Sequence, residues 1–498
     1  LRLWQDRSAP ALLLLGLAAT LPLSPFSDYR LLALPLLALL VWLRGGRGAT
    51  LLGVALLVLA AFAAWAKFSV FIAALLILLP AEFLLLLRER RWPLLTPAFL
   101  LGCVGAHLLA GQPLSALPDF LRQSFALAAG YGDAISRNGP HSWSPLWSSL
   151  ERCGFLLLAL ATLLPPLSAA RRRPPPSQIQ AQAALCGLAA LLFLYWKAGF
   201  VRHDAHALYA WAGLLLANLV LLGQAWQRRG ARRLHGALAL GACLAYWTSS
   251  THQPDFMASN QAERLWEQLR SRPIDAWRVV SGELDAATLD RQFADSMAAI
   301  RQQPTLPMLE GSLDVVTWPG VLALANDLAY RPRPLPGYLA GTPGLRRLAP
   351  AFFASPARPD WVLWARQDYD DHFPGIDEAN ILPALLAGYD ATDVVAPFLL
   401  LRARQDWRPI KYQPLASLPL VPQAWIALPA DAGPLWAEVR LPRTLFGALQ
   451  GLAWRRPRIY LQVEDEHARR QLFNLPLPFA ESGFPLSPVP TGMAEPLA

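Results

Sequence analysis

Lysine is almost missing from this chain. Of 44 basic residues only Lys67, Lys197 and Lys411 are lysines, and arginine supplies the rest. Cysteine is nearly as scarce: Cys103, Cys153, Cys186 and Cys243 lie in or beside apolar stretches, and none follows. The second half must therefore hold together without disulfides. No paired Cys or Cys/His spacing of a zinc site occurs. Acids are rare early on: residues 1–249 hold 8 Asp/Glu against 21 Lys/Arg, whereas residues 250–498 hold 27 against 23. The net charge of +9 thus belongs to the first half, where it gathers at the ends of apolar stretches. A nucleic-acid surface needs basic side chains spread over a folded face, so no nucleic-acid partner is expected. Long apolar runs are missing from residues 250–498, as are a P-loop and a nucleophile elbow.

What is present is a crowd of apolar stretches in the first half. Nine read as membrane spans, roughly 9–26, 31–43, 48–66, 68–87, 93–111, 154–170, 183–199, 207–226 and 235–249. Several fall short of the ~20 residues a bilayer asks for. The chain opens on Leu1, as a fragment or a literally read start codon would. Residues 9–26, behind Arg2 and Arg7, have the look of a signal peptide. They lack a small-x-small cleavage site and are read as an uncleaved helix.

The arginines orient these spans. Arg44 and Arg47, then Arg88, Arg90 and Arg91, then Arg171–Arg173, then Arg228, Arg229, Arg232 and Arg233 follow every second stretch. If nine spans cross, all these clusters share one side, and the positive-inside rule makes it cytoplasmic. The other side receives residues 27–30, 67, 112–153, 200–206 and everything past 249. This predicts a multi-pass protein of the lipid bilayer with an extracytoplasmic C-terminal part. Trp65, Trp196 and Trp247 fall near outer ends, as interface anchors do.

Candidate chemistry sits in the outer loops. Residues 112–153 begin with a short amphipathic stretch around Phe120 and Phe125, which reads as interfacial. The loop serves either as a seal on the bundle or as a substrate cover bringing Asp133 or His141 to the chemistry. The turn YWKAGFVRHDAHALY (195–209) packs Lys197, Arg202, His203, Asp204 and His206 together. Such charge near a membrane implies a partner or a pathway, and these cations suit a phosphate or pyrophosphate head group. The plainer alternative is a solvated turn whose charges pair among themselves. His203, His206 and Asp204 also match the ligand types of a divalent metal, but a further ligand is lacking and no metal or other cofactor is assigned. Lys67 stands almost alone among apolar residues and either snorkels or binds a phosphate. Asp28 is the one acid of the first outer loop, as a base, a partner of Arg30 or a helix cap. Glu82 is expected to meet Arg88 or Arg91.

The second half reads as two regions. Residues 250–408 alternate helical and strand patterns, with helices near 260–271, 286–302, 319–330, 343–354 and 378–389, and strands over 313–318, 360–366 and 396–404. That succession predicts an α/β layer with parallel pairing. RPRPLPGY (331–338) is a proline-stiffened extended segment. QDYDDHFPGIDE (367–378) lacks calcium-site spacing and is expected to be a solvated loop. Residues 409–498, with AWIALPA, LWAEVRLP and RIYLQVED, alternate apolar and polar and predict an antiparallel β-sandwich-like region. The fold class expected is an α-helical transmembrane bundle (1–249), an extracytoplasmic α/β domain (250–408) and a β-rich C-terminal region (409–498).

LDVVTWPGVLALANDLAYRPRPLPGYLAGTPGLRRLAPAFFASPARPDWVLW, with WKAGFVRHDAH upstream and ESGFPLSPV near the end, resembles a group of bacterial polytopic membrane proteins. Their plan is similar to that of GT-C glycosyltransferases. That resemblance implies the bacterial inner membrane as the protein's place, and transfer of a sugar from a polyprenyl-phosphate carrier to an envelope glycan acceptor at the outer face of that membrane. Lys67, Lys197 and Arg202 would hold the carrier phosphate, and Asp28 or Asp204 would serve as base. The alternatives are a non-catalytic envelope assembly or scaffold protein and, after it, a transporter or flippase.

Overall fold

The computed structural model describes residues 28–489 except 136–144, 172–176, 225–228, 252–270, 272–273, 276, 303–305, 317–319, 367, 430–432, 443, 457 and 465–466. The expected span 9–26 and, but for residue 271, the expected helix 260–271 lie outside them. The chain forms two compact units. The first takes Leu1–Ser124 and Arg137–Trp277, the second Phe125–Ser136 and Arg278–Ala498.

The described part of the first unit is almost wholly helical, and each apolar stretch from residue 31 onward is a helix. Four are long and apolar enough to cross a membrane: Arg47–Ala66, Phe68–Glu89, Leu146–Arg171 and Ser177–Val201. Leu95–Leu109 with Leu114–Ala134 makes a fifth if that pair, bent by 118°, counts as one span. Nine spans are therefore not supported. Asp28–Arg44 has 17 residues and Leu95–Leu109 only 15, below the ~20 a bilayer needs. Arg229–Thr251 opens on Arg229, Arg232 and Arg233 and closes on Thr-Ser-Ser-Thr, which lowers its hydropathy. Sequence punctuation places the joints. Gly45 and Gly46, at φ 74° and 90°, turn the chain between Asp28–Arg44 and Arg47–Ala66, a conformation that glycine adopts without steric cost. Lys67 interrupts the apolar run between Arg47–Ala66 and Phe68–Glu89 in an extended conformation.

Within this unit Phe68–Glu89 packs on Ser177–Val201, and His206–Gln224 packs on Arg229–Thr251. Glu82 does not pair with Arg88 or Arg91. Its buried carboxylate accepts hydrogen bonds from the backbone N–H groups of Leu94, Leu95 and Thr96 at 2.7, 2.7 and 2.9 Å, and from the Thr96 hydroxyl at 2.6 Å. It thus caps Leu95–Leu109, whose first N–H groups have no partner in their own helix.

The second unit is built on a five-stranded sheet. β1 (Ser312–Val316) pairs in parallel with β2 (Ala329–Tyr330) and with β3 (Trp361–Trp364). β4 (Tyr389–Val395) and β5 (Phe398–Ala403) complete the order β2-β1-β3-β5-β4, with β5 antiparallel to both neighbours. Parallel pairing therefore holds for half of the sheet. Both faces are covered. Val316, Val362, Trp364, Leu399 and Leu401 pack under Phe353 and Leu385. Leu313, Val315, Leu363 and Leu400 pack against Leu322 and Ala323. Beyond residue 409, β6 (Leu435–Ala437) pairs with β9 (Phe484–Ser487) and β7 (Ile459–Glu464) with β8 (Arg470–Leu475), each antiparallel. The described residues there thus form two separate ladders rather than a sandwich. In AWIALPA the described residues lie exposed and outside any strand, so no third ladder partner arises there.

The segment 125–136 joins this unit through close contacts. Gly130 and Gly341 meet backbone to backbone, so neither has room for a Cβ. Ala134 and Ile135 enter a core with Phe373, Ile376, Phe479 and Phe484.

Candidate functional site

The charged turn predicted between two helices is real and tightly built. Ser177–Val201 ends and His206–Gln224 begins around it. Asp204 is its hub: Oδ2 accepts from Arg202 Nε at 2.6 Å, while Oδ1 accepts from the His206 backbone N–H at 3.0 Å and faces His206 Nδ1 at 2.6 Å. Burial alone would raise the Asp204 carboxyl. The His206 hydrogen bonds and the charges of His206 and Arg202 outweigh it and hold the group well below the usual carboxylate range. Asp204 is therefore a poor proton acceptor. It fixes the imidazole of His206, whose side chain keeps 31% of its exposure.

His203 points the other way. Its side chain is fully buried, with Nε2 2.5 Å from Glu151 Oε2. The other oxygen of Glu151 accepts from Trp211 Nε1 at 2.7 Å. Phe155, Phe200 and Trp211 pack their rings edge to face around this pair. Glu151 was missed in the sequence. It sits near the start of the long helix Pro145–Arg171, and its partner lies 52 residues on. The usable signal was an acid beside a membrane stretch, in a half of the chain that has few.

The other predicted residues do not all join this cluster. Lys67 is exposed at its interhelical joint, and Lys197 lies in the last turns of Ser177–Val201, half-buried. Asp28 opens the helix Asp28–Arg44, and its side chain lies outside the described residues, as does all of His141. Asp133 belongs to the second unit, where it pairs with Arg456 Nε at 2.9 Å. There it lines a small cavity with Arg458, Asn474 and Leu475. Among the described residues no group of three or more His, Cys, Asp or Glu could hold a metal ion. His203 turns to Glu151 while His206 turns to Asp204, so the ligand set weighed for a divalent metal does not converge.

A second polar centre lies inside the strand-bearing unit. Asp314 occupies β1 between Leu313 and Val315 and is fully buried. Arg333, from the proline-rich segment, reaches Asp314 Oδ2 at 3.3 Å and Glu378 Oε1 at 3.0 Å. Glu378 also accepts from the Gly337 backbone N–H at 2.9 Å. Burial pushes both carboxyls up despite Arg333. Burial opposes the charge of Arg333 as well, but Glu378 and Asp314 more than offset it. Arg346 is buried over the Phe479 ring at 4.5 Å, and none of its guanidinium nitrogens has a hydrogen-bond partner. Burial brings it down to about 10, against the pull of Glu378 and Asp377. The loop expected to be solvated is instead anchored here. Phe373 and Ile376 are buried, and His372 Nδ1 lies 2.7 Å from the buried Asp377 Oδ1. Apolar residues at its centre draw the loop inward, and two of its acids turn to the loop's own backbone: Asp368 accepts from Gly375 N–H and Asp377 from Tyr369 N–H.

Of the two centres, only the interhelical turn presents an oriented titratable ring that is partly open. The Asp314–Arg333–Glu378 lattice is closed and ties the proline-rich segment to the sheet. Comparison with protein families, with curated proteins and with solved structures finds no match to this chain.

Proposed function

We propose that this chain is a multi-pass inner-membrane glycosyltransferase of the GT-C kind, acting at the outer face on a polyprenyl-phosphate-linked sugar and an envelope glycan acceptor. The observation that carries this reading is the Asp204–His206 pair beside Arg202. A carboxylate that orients an imidazole is how a general base is held in place. His206 takes the acceptor hydroxyl proton, Asp204 orients it, and Arg202, Lys197 and Lys67 neutralise the carrier phosphate. Asp28 remains the acid that the resemblance implies for the first outer turn. Arginine placement supports the sidedness of this reading: Arg44, Arg88 and Arg171 close helices and Arg47 and Arg229 open them. The reading takes His206–Gln224 and Arg229–Thr251 to cross as well, with the 202–206 turn and the residues beyond Thr251 on the outer side.

His206→Asn and Arg202→Gln test this in cells. The reading expects altered or missing envelope glycan with the protein still present in the membrane. Unchanged glycan in both variants counts against it. A second reading, a non-catalytic envelope scaffold, is favoured by one specific observation: Arg202, Asp204 and His206 already satisfy one another.

A further inference from the structure

The helix Leu445–Ala453 in the second unit is inside out. Leu445, Phe446 and Leu449 are 79, 76 and 57% exposed. At 100° per residue these three share one face, while Gly447, Gln450 and Gly451 are turned further inward. A helix of a water-soluble surface would reverse that order. Thr444 caps its start through a hydrogen bond from Gly447 N–H at 3.0 Å, so the turn is anchored rather than frayed.

The flanks say what this face meets. Between Arg440 and Arg458 the sequence holds no acidic residue, with Arg440 and Arg443 before the helix and Trp454 directly after it. The Arg440 side chain is 80% exposed, whereas Arg455 is buried and Arg456 turns to Asp133. Large apolar side chains on one face, arginines leading into it and an indole at the boundary are the composition of a helix that lies in a membrane interface. The same chain carries helices apolar enough to enter a bilayer. We propose that Leu445–Ala453 is an interfacial helix that seats Leu445, Phe446 and Leu449 among the lipids of an anionic bilayer surface. The proposal rests on the membrane character of the chain and not on any transferase activity. Insertion to about 5–10 Å is what such helices reach.

The test uses the full chain, freed of its four cysteines, in nanodiscs. Phe446→Cys, Leu449→Cys and the exposed Ser281→Cys each carry a spin label. Discs are made of phosphatidylcholine alone or mixed with phosphatidylglycerol. The proposal expects labels at 446 and 449 to collide with lipid-dissolved oxygen, and to meet a water-soluble nickel complex several-fold less often than the label at 281. It also expects this contrast to grow with phosphatidylglycerol and to shrink when Arg440 and Arg443 become Gln. Labels at 446 and 449 as open to nickel as the one at 281 overturn it. Labels shielded from both reagents place the face against protein and also overturn it.

Discussion

Glu151 Oε2 and His203 Nε2 stand 2.5 Å apart, and the opposite oxygen of Glu151 takes the Trp211 indole N–H. One carboxylate thus ties a long helix to both the interhelical turn and the helix after it. Both side chains are buried. Removing one member of a buried hydrogen-bonded pair costs about 1–3 kcal/mol, because the buried polar atoms it held lose that bond. Glu151→Ala is expected to lower the thermal midpoint of the detergent-solubilised protein by more than Asp119→Ala, which breaks an exposed pair with Arg122. Equal midpoints for the two variants would refute this role.

Arg333 and Arg346 are both buried but should respond in opposite ways. Arg333→Ala strands Asp314 and Glu378 and should cost about 3–5 kcal/mol. Arg346→Met removes a guanidinium with no hydrogen bond and keeps the contact with Phe479. It should be near neutral or stabilising, since apolar replacement removes a desolvation cost. Urea unfolding followed by tryptophan fluorescence compares them. A larger loss at Arg346 than at Arg333 would contradict the assignment.

The Gly130–Gly341 contact leaves no space for a methyl group on either side. Gly341→Ala should destabilise by about 1–3 kcal/mol, the usual cost of overpacking. Gly344→Ala, with open space around it, serves as the control. Proteolysis rates of the second unit report the difference, and equal rates for the two variants would remove the contact from the account.

Acid should act on the charged turn in a defined sense. Asp204 lies below the ordinary aspartate value of 3.8, since His206 and Arg202 outweigh its burial. A lowered folded value gives stability that is complete above 3.8 and drains away as pH falls toward the folded value. The stability gap between wild type and Asp204→Asn should be constant near neutral pH and narrow only in strong acid. Taking this difference isolates Asp204 from Asp314 and Glu378, whose raised values act in the opposite direction. A gap that widens on acidification would contradict the pairing.

The helical half was legible because its breaks are chemical: Lys67 interrupts an apolar run, and arginines mark helix ends. The number of spans was less so, because apolar composition does not show whether 15 or 17 residues suffice. β1, β3 and β5 were visible as short apolar runs. β4 was hidden, since YDATDVV is an edge strand largely exposed to water. The buried lattice was written in Asp314, an acid within an apolar strand, and in Arg333, which reads locally as part of a proline-rich spacer. Glu378 and Arg346 gave no local sign, because long-range packing alone decides that they are buried. The turn at 202–206 was found by charge density, while its inner partner Glu151 required the fold.

The central claim is sidedness: the 202–206 turn and the residues past Thr251 share the outer compartment. Single cysteines at Ser281 and at Gly230, in a chain freed of its own, can be labelled in intact spheroplasts with a membrane-impermeant maleimide. Labelling at 281, with 230 reached only after permeabilisation, is the predicted result. Labelling at 230 with 281 protected would invert the orientation and contradict the proposed function.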